Sequence, residues 1–289
     1  MSAVVIPTIS VASRPARQAR RIATVWWVST VVIIMIIAAL ALMLASGGRF
    51  LMVKTPSMGQ AAPVGSLLIE RPVAFDDVRR GDIVTFAVEE RPGITYTHRV
   101  IGENADGSLS TRGDANGAID PWPLTSETLL GAPVVIVPAA GWAITALPVL
   151  LIGSMLIWML TSAFTDRVTR SSLRLAGASL VFAYASFLYK PFVNLVTLTS
   201  VTSSGAVDAT VVSTGILPIR AIGPGDAAVT LQPGQVGHLH IHDLAHNGYY
   251  QVASNLHLSW AGWLIIAAIC AAPLVVAYAI GHRRSGDFA

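Results

Sequence analysis

The chain has 289 residues, 53% of them hydrophobic and 12% charged, about half the charge of an ordinary soluble domain. Its formal net charge of +3 does not mark a nucleic-acid binder, because the positive residues flank apolar blocks, as membrane topology requires. The only cysteine, Cys270, lies inside one such block, which excludes an intrachain disulfide.

Residues 1–22 form a tail ending in Arg14, Arg17, Arg20 and Arg21. The block that follows, 23–45, carries no charge and is long enough for a helix to cross the hydrocarbon of a bilayer. Its end, A-L-A-L-M-L-A-S-G-G, offers the small residues of a cleavable secretory leader. The apolar core is, however, longer than the ~7–15 residues of such a leader, so an anchor is expected. Further spans are predicted at 142–164, 175–198 and 260–280. Lys190-Pro191 falls inside the third, so that helix should end early or kink near the outer surface. Arg167, Arg170 and Arg174 precede the third span, and His282-Arg283-Arg284 follow the fourth. With four spans, all the basic groups fall on one side. The loop 165–174 and both termini, including the tail 281–289, are then cytoplasmic, and segments 46–141 and 199–259 lie outside. This describes a multi-pass protein of the cell (plasma) membrane.

Segment 46–141 shows short apolar or alternating runs at 66–70, 82–88, 94–101, 108–112 and 132–137. Turn signals separate them: Arg80-Gly81-Asp82, Arg91-Pro92-Gly93, Asp106-Gly107 and Asn116-Gly117. Strands of this length and spacing predict a compact, largely antiparallel β domain.

Three pieces of this segment combine into a chemical set. Ser57-Met58 lies on the opening turn, T-P-S-M-G-Q. Thr97-His98-Arg99-Val100 lies on a predicted strand. Thr111-Arg112-Gly113-Asp114-Ala115-Asn116 is followed by Asp120. A serine hydroxyl needs a base within hydrogen-bond reach, an imidazole suits that task, and the imidazole needs a partner that fixes its tautomer. His98 is the only histidine before residue 238, so the domain holds one candidate base of this kind. Taken singly, each piece reads as an ordinary turn or a half-exposed strand position. Together, in this order, they form a complete set.

From about Val53 to Trp142, with the preceding span, the chain resembles type I signal peptidases of the endoplasmic-reticulum and archaeal branch. The likeness rests on S-M followed by V-G-S-L-L-I, R-R-G-D-I-V-T-F, T-H-R-V-I and T-R-G-D-A-N with a second aspartate six residues on. The resemblance implies a nucleophilic Ser57, a basic His98, Asp120 as the direct histidine partner and Asp114 in a supporting or structural role. It also implies extended preprotein signal peptides as substrates, and no cofactor. Residue inventory favours histidine over the lysine base of the family's other branch. No lysine lies between Gln60 and Tyr189, and Lys54 and Lys190 are the only two in the chain. Where the family usually continues S-M with x-Pro, this chain has Gly59-Gln60, which should make the turn freer.

The rest of the chain extends past the resemblance. Alternating runs in 199–259, with Gly-Pro-Gly and Gln-Pro-Gly turns, predict a second small β domain of sandwich type. His238, His240 and His242 alternate and would share a strand face, with Asp243, His246 and His257 nearby. Steps of about 7 Å along a strand are too long for all three to hold one ion without a bulge. The expected fold is therefore a membrane protein of α+β class: four transmembrane helices, a signal-peptidase-like β domain outside, and a second small extracytoplasmic β domain. The expected function is that of a membrane-bound serine endopeptidase that removes signal peptides at the outer surface. The alternatives are a non-catalytic membrane scaffold that keeps a peptidase-like domain, and a metal-binding module on the histidine strand. Whether partner subunits take part is open.

Overall fold

The computed structural model describes residues 14–203, 205–242 and 250–285. Asp243 and His246, the start of the N-terminal tail and the last four residues lie outside the described residues. The chain forms two compact units, Met1–Arg49 and Phe50–Ala289. The first is helix α1, Arg14–Ala45. Its stretch Trp26–Ala45 is long and apolar enough to cross a membrane.

The second unit contains two β domains and the remaining helices. Its first domain is one six-stranded sheet in the order β1-β2-β6-β3-β4-β5. The strands are β1 Arg49–Met52, β2 Leu67–Arg71, β3 Ile83–Ala87, β4 Thr95–Glu103, β5 Leu109–Arg112 and β6 Leu129–Val137. All the registered pairs are antiparallel. The predicted turn signals lie between them: Arg91-Pro92-Gly93 joins β3 to β4, and Asp106-Gly107 joins β4 to β5. Alternation along β4 sends His98 and Val100 inward, as a pleated strand with one buried face demands. Val84, Phe86, Val100, Leu109 and Leu124 form the core on which this face rests. A smaller cluster of Met58, Ala62 and Leu68 lies under the turn that carries Ser57.

Helix α2, Ala140–Thr161, leaves this domain directly. The Gly141 N–H donates to Gly65 O at 2.8 Å, and the Trp142 indole packs where any Gly65 side chain would go. Helix α3 runs Arg167–Tyr189, capped at Asp166, whose carboxylate accepts the Thr169 N–H. Gly153 lies against Val181 and Gly177 against Ile157, so small residues let the two apolar helices approach closely. Arg174 Nε donates to Thr161 Oγ1 at 3.0 Å across the same pair.

The third apolar run departs from the expected 175–198. Its helix begins at Arg167, within the expected loop, and stops at Tyr189. Lys190 takes a left-handed conformation, φ 47°, as its N–H closes on Ser186 O, and Pro191 cannot continue the helix. Residues from Leu195 onward form a strand instead.

Both α2 and α3 are long and apolar enough to cross a membrane, and large apolar side chains on them such as Leu160 (63% exposed) and Phe187 (73%) are mostly uncovered by protein. Helix α4 spans Trp260–Ser285. Among the described residues, its stretch Trp260–Val275 counts as a shorter apolar helix.

The second β domain has two three-stranded sheets, β10-β9-β12 and β11-β8-β7. The strands are β7 Leu195–Ser203, β8 Ala206–Ser213, β9 Ile219–Ile222, β10 Ala228–Leu231, β11 Val236–Ile241 and β12 Ala253–Leu256. Val207, Ala209, Val211, Leu239 and Ile241 of one sheet share a core with Ile219, Ala221 and Leu231 of the other. Inward residues alternate with outward ones along β11, and the sheets close face to face as a sandwich. Removing side chain from this core leaves a cavity, so Leu239→Ala should cost about 2–5 kcal/mol. Thermal unfolding of the full chain in detergent checks this, and an unchanged midpoint would contradict the shared core.

Candidate active site

Ser57 sits in a 3-10 turn, Pro56–Met58, entered from extended Thr55. Proline at the first position presets the backbone. Met58 is buried and anchors the turn from below. Gly59 closes it at φ 53°, ψ −131°, its N–H donating to Pro56 O. That conformation is open only to glycine. Gly59 therefore holds the turn shut, whereas a freer turn was expected from the sequence.

The T-R-G-D-A-N segment grips the same turn from one side. The Ala115 N–H donates to Ser57 O at 2.8 Å. Gly113 approaches so closely that a Cβ there would lie 2.6 Å from Ser57 O.

His98, buried to 4% exposure, lies across from Val84 in the β3–β4 pair. Its ring packs edge-on against Tyr96 and Phe86. Nδ1 is 2.6 Å from Asp120 Oδ2, and Nε2 is 3.0 Å from Ser57 Oγ. An ionised carboxylate only accepts, so Nδ1 carries the proton and Nε2 is left to accept from the Ser57 hydroxyl. The His98 and Asp120 side chains are almost fully shielded, at 5% and 6% exposure, where a charge-assisted hydrogen bond is strong. Asp120 is itself held. Its N–H donates to Thr111 O at 2.9 Å, and Thr111 Oγ1 donates to its Oδ2 at 2.7 Å.

Of the four residues singled out in the sequence, Ser57, His98 and Asp120 come together in one chain of hydrogen bonds. Asp114 does not join it. Its carboxylate takes the Arg99 guanidinium at both oxygens, Nε to Oδ1 at 2.8 Å and Nη2 to Oδ2 at 2.6 Å. These hydrogen bonds raise the Arg99 pKa above its ordinary value. Arg99 Nη1 also donates to Gly81 O at 2.8 Å. The pair thus ties the G-D-A-N loop, β4 and the R-G-D turn together. Thr111 and Arg99 stand within the quoted motifs, yet nothing in their local sequence announces these partners.

Ser57 and His98 open onto a groove of about 600 Å³. Leu51, Val53 and Met58 line it with Ile94, Thr95 and Tyr96. Strands β1 and β4 both border it although three strands lie between them in the sheet, so the sheet curls around the groove. Lys54 also lines the groove, but the hydroxyl of Ser57 is bonded to His98.

Residues 24–107 match the family model of signal peptidase, peptidase S26. Over this segment the chain is similar to signal peptidases. The match takes in Ser57 and His98 and ends before Thr111, Asp114 and Asp120. The family match and, among the described residues, three helices long and apolar enough to cross a membrane together point to a membrane protein. No curated protein matches the chain.

On the histidine strand, the His240 and His242 rings meet edge to face with centroids 4.4 Å apart. His238 and His240 face outward from β11, and His242 lies just past its end. His240 pairs with Asp208 on β8, and His238 Nδ1 lies 3.3 Å from Thr210 Oγ1. Among the described residues, no group of three or more His, Cys, Asp or Glu side chains is placed to hold an ion.

Because the Asp114–Arg99 pair is about one-third exposed, Asp114→Ala should cost only about 1 kcal/mol of stability. Thr111→Val removes a donor from Asp120 and should slow reaction of Ser57 with a serine-directed probe about tenfold, with little change in thermal midpoint. Comparing the two variants by probe kinetics and thermal melts checks both. A larger loss of probe reactivity in Asp114→Ala than in Thr111→Val would contradict these roles.

Proposed function

We propose that the chain is a membrane-bound signal peptidase of the serine–histidine branch, cleaving signal peptides from exported preproteins at the outer membrane surface. The observation that carries the reading is the continuous set Ser57 Oγ, His98 Nε2, His98 Nδ1 and Asp120 Oδ2, linked at 3.0 and 2.6 Å beside an open groove. In this reading His98 takes the proton as Ser57 attacks the scissile carbonyl, forming an acyl-enzyme and a tetrahedral intermediate before it. Asp120 holds the imidazole in the right tautomer and stabilises the imidazolium. The proton then passes from Nε2 to the leaving amine. A water activated by the same nitrogen releases the acyl group and restores Ser57.

The negative oxygen of the intermediate needs fixed donors. The Gly59 N–H is committed to Pro56 O, which leaves the backbone N–H groups of Ser57 and Met58 as the candidate donors beside the reacting hydroxyl. An extended substrate segment fits the groove between β1 and β4, where main-chain pairing supplies affinity and alternate side chains supply selectivity. The resemblance adds small side chains at the first and third positions before the cut. About a dozen residues separate the first apolar block from Ser57, in keeping with a cleavage site delivered at the membrane surface. Four spans, cytoplasmic termini and two extracytoplasmic β domains complete the proposed topology.

Processing of a preprotein in liposomes tests the reading. Ser57→Ala and His98→Ala should each lower cleavage about 10⁴-fold or more, and Asp120→Asn by a comparable or smaller factor. Undiminished processing by Ser57→Ala would favour the non-catalytic scaffold.

A further inference from the structure

The second β domain touches the turn that carries Ser57. The contact is backbone on backbone: a Cβ at Gly234 would lie 2.5 Å from Gly59 O, 2.8 Å from Gly59 C and 3.0 Å from Gln60 Cα. In the other direction, a Cβ at Gly59 would lie 3.3 Å from Gly234 O. Both glycines are buried, while Gln60 and Gln232 beside them are exposed. No side chain fits between the two turns, and none is present.

Resting on the reading of Ser57 as nucleophile, we propose that Gly234 is a positioning residue, through which the second β domain sets the nucleophile turn. The turn Gln232–Gln235, between β10 and β11, is built to be stiff. The Gln235 N–H donates to Gln232 O at 2.9 Å, and the Gln232 N–H donates to Gln235 Oε1 at 2.9 Å. The Gly234 N–H donates to Ser213 O at 2.9 Å, and the Ser213 N–H donates to Gln235 O at 3.1 Å. These bonds tie the turn to the end of β8, which is anchored in the sandwich core. Gly59 and Gly234, at φ 53° and 72°, can meet this closely because neither has a side chain.

The Ser57 turn is therefore held between two abutments. On one side the Ala115 N–H and the bare Cα of Gly113 meet Ser57 O; on the other, Gly234 meets Gly59. This gives a physical reason for Gly59 where the family resemblance leads one to expect x-Pro: the space beside the turn is filled by another domain. A displacement of the nucleophile by ~1 Å can cost on the order of 10²-fold in rate. Any side chain at 234 must move either the Gln232–Gln235 turn or the Ser57 turn.

Gly234→Asn isolates the contact, because asparagine tolerates a left-handed backbone. Gly205→Asn is the control: that glycine also has positive φ, 83°, in the second domain, with nothing within 4 Å of its Cβ position. The assay is cleavage of a preprotein by the full chain in liposomes, with kcat and KM read separately and thermal midpoints measured alongside. Gly234→Asn should lower kcat about 10- to 100-fold with KM changed less than threefold, Gly234→Ala should fall between it and wild type, and Gly205→Asn should match wild type. An unchanged kcat in both Gly234 variants overturns the proposal. So does a loss of kcat that Gly205→Asn shares or that follows the thermal midpoint, since either is a fold effect. Wild-type protein with no Ser57-dependent cleavage overturns instead the reading of Ser57 as nucleophile, and the proposal with it.

Discussion

The hydrogen bond from His98 Nδ1 to Asp120 Oδ2 is the constraint on which the site depends. It is short and shielded from water, and a bond between an imidazole and a carboxylate in such a place fixes which ring nitrogen holds the proton. Once Nδ1 is the donor, Nε2 must be the acceptor, and the Ser57 hydroxyl at 3.0 Å is its partner. The rest of the first β domain keeps that relation in place. The core beneath β4 sets the depth of His98, Thr111 holds Asp120 by backbone and hydroxyl, and Ala115 holds the carbonyl of Ser57.

The motifs around the site divide into groups that make the hydrogen-bond chain and groups that fix the backbone around it. Arg99 is the hinge between them. It follows His98 on β4, faces the other way, and joins Asp114 to the carbonyl of Gly81. The neighbouring Val100 completes the attachment of the R-G-D turn, its N–H donating to Asp82 O and its carbonyl accepting the Gly81 N–H. An aspartate that looks like a second partner for histidine is thus spent on holding two loops against one strand. This arrangement is partly exposed, so its contribution lies in geometry more than in stability.

Much of this was legible in the sequence because it rests on local pattern. Runs such as D-I-V-T-F-A-V and I-T-Y-T-H-R-V-I alternate or carry β-branched residues between turn signals, and β3 and β4 lie on them. The pairing of Ser57 with His98 was legible from residue inventory, since the domain has one histidine. Other features depend on tertiary context. L-V-T-L at 195–198 continues an apolar run and was read as helix, but the left-handed Lys190 before Pro191 had already ended it. Histidine alternation suggested imidazoles on one face, and the His240 and His242 rings do meet, 4.4 Å apart, but the partners that His238 and His240 find on β8, Thr210 and Asp208, come from strand pairing that local sequence does not announce. Gly59 reads as freedom in isolation and becomes a fixed position only when Gly234, 175 residues later in the chain, packs on it. The separation of roles between Asp114 and Asp120 came from family likeness, since both are plain turn aspartates by spacing.

The central claim is that Ser57 is a nucleophile activated by His98. Its most direct test is mass-spectrometric mapping of the covalent adduct left by a serine-directed probe on the full-length protein in detergent. The account predicts one modified residue, Ser57, in the wild-type protein and loss of that adduct in His98→Ala despite an intact fold. An adduct on another residue, or undiminished modification of Ser57 without His98, would contradict it.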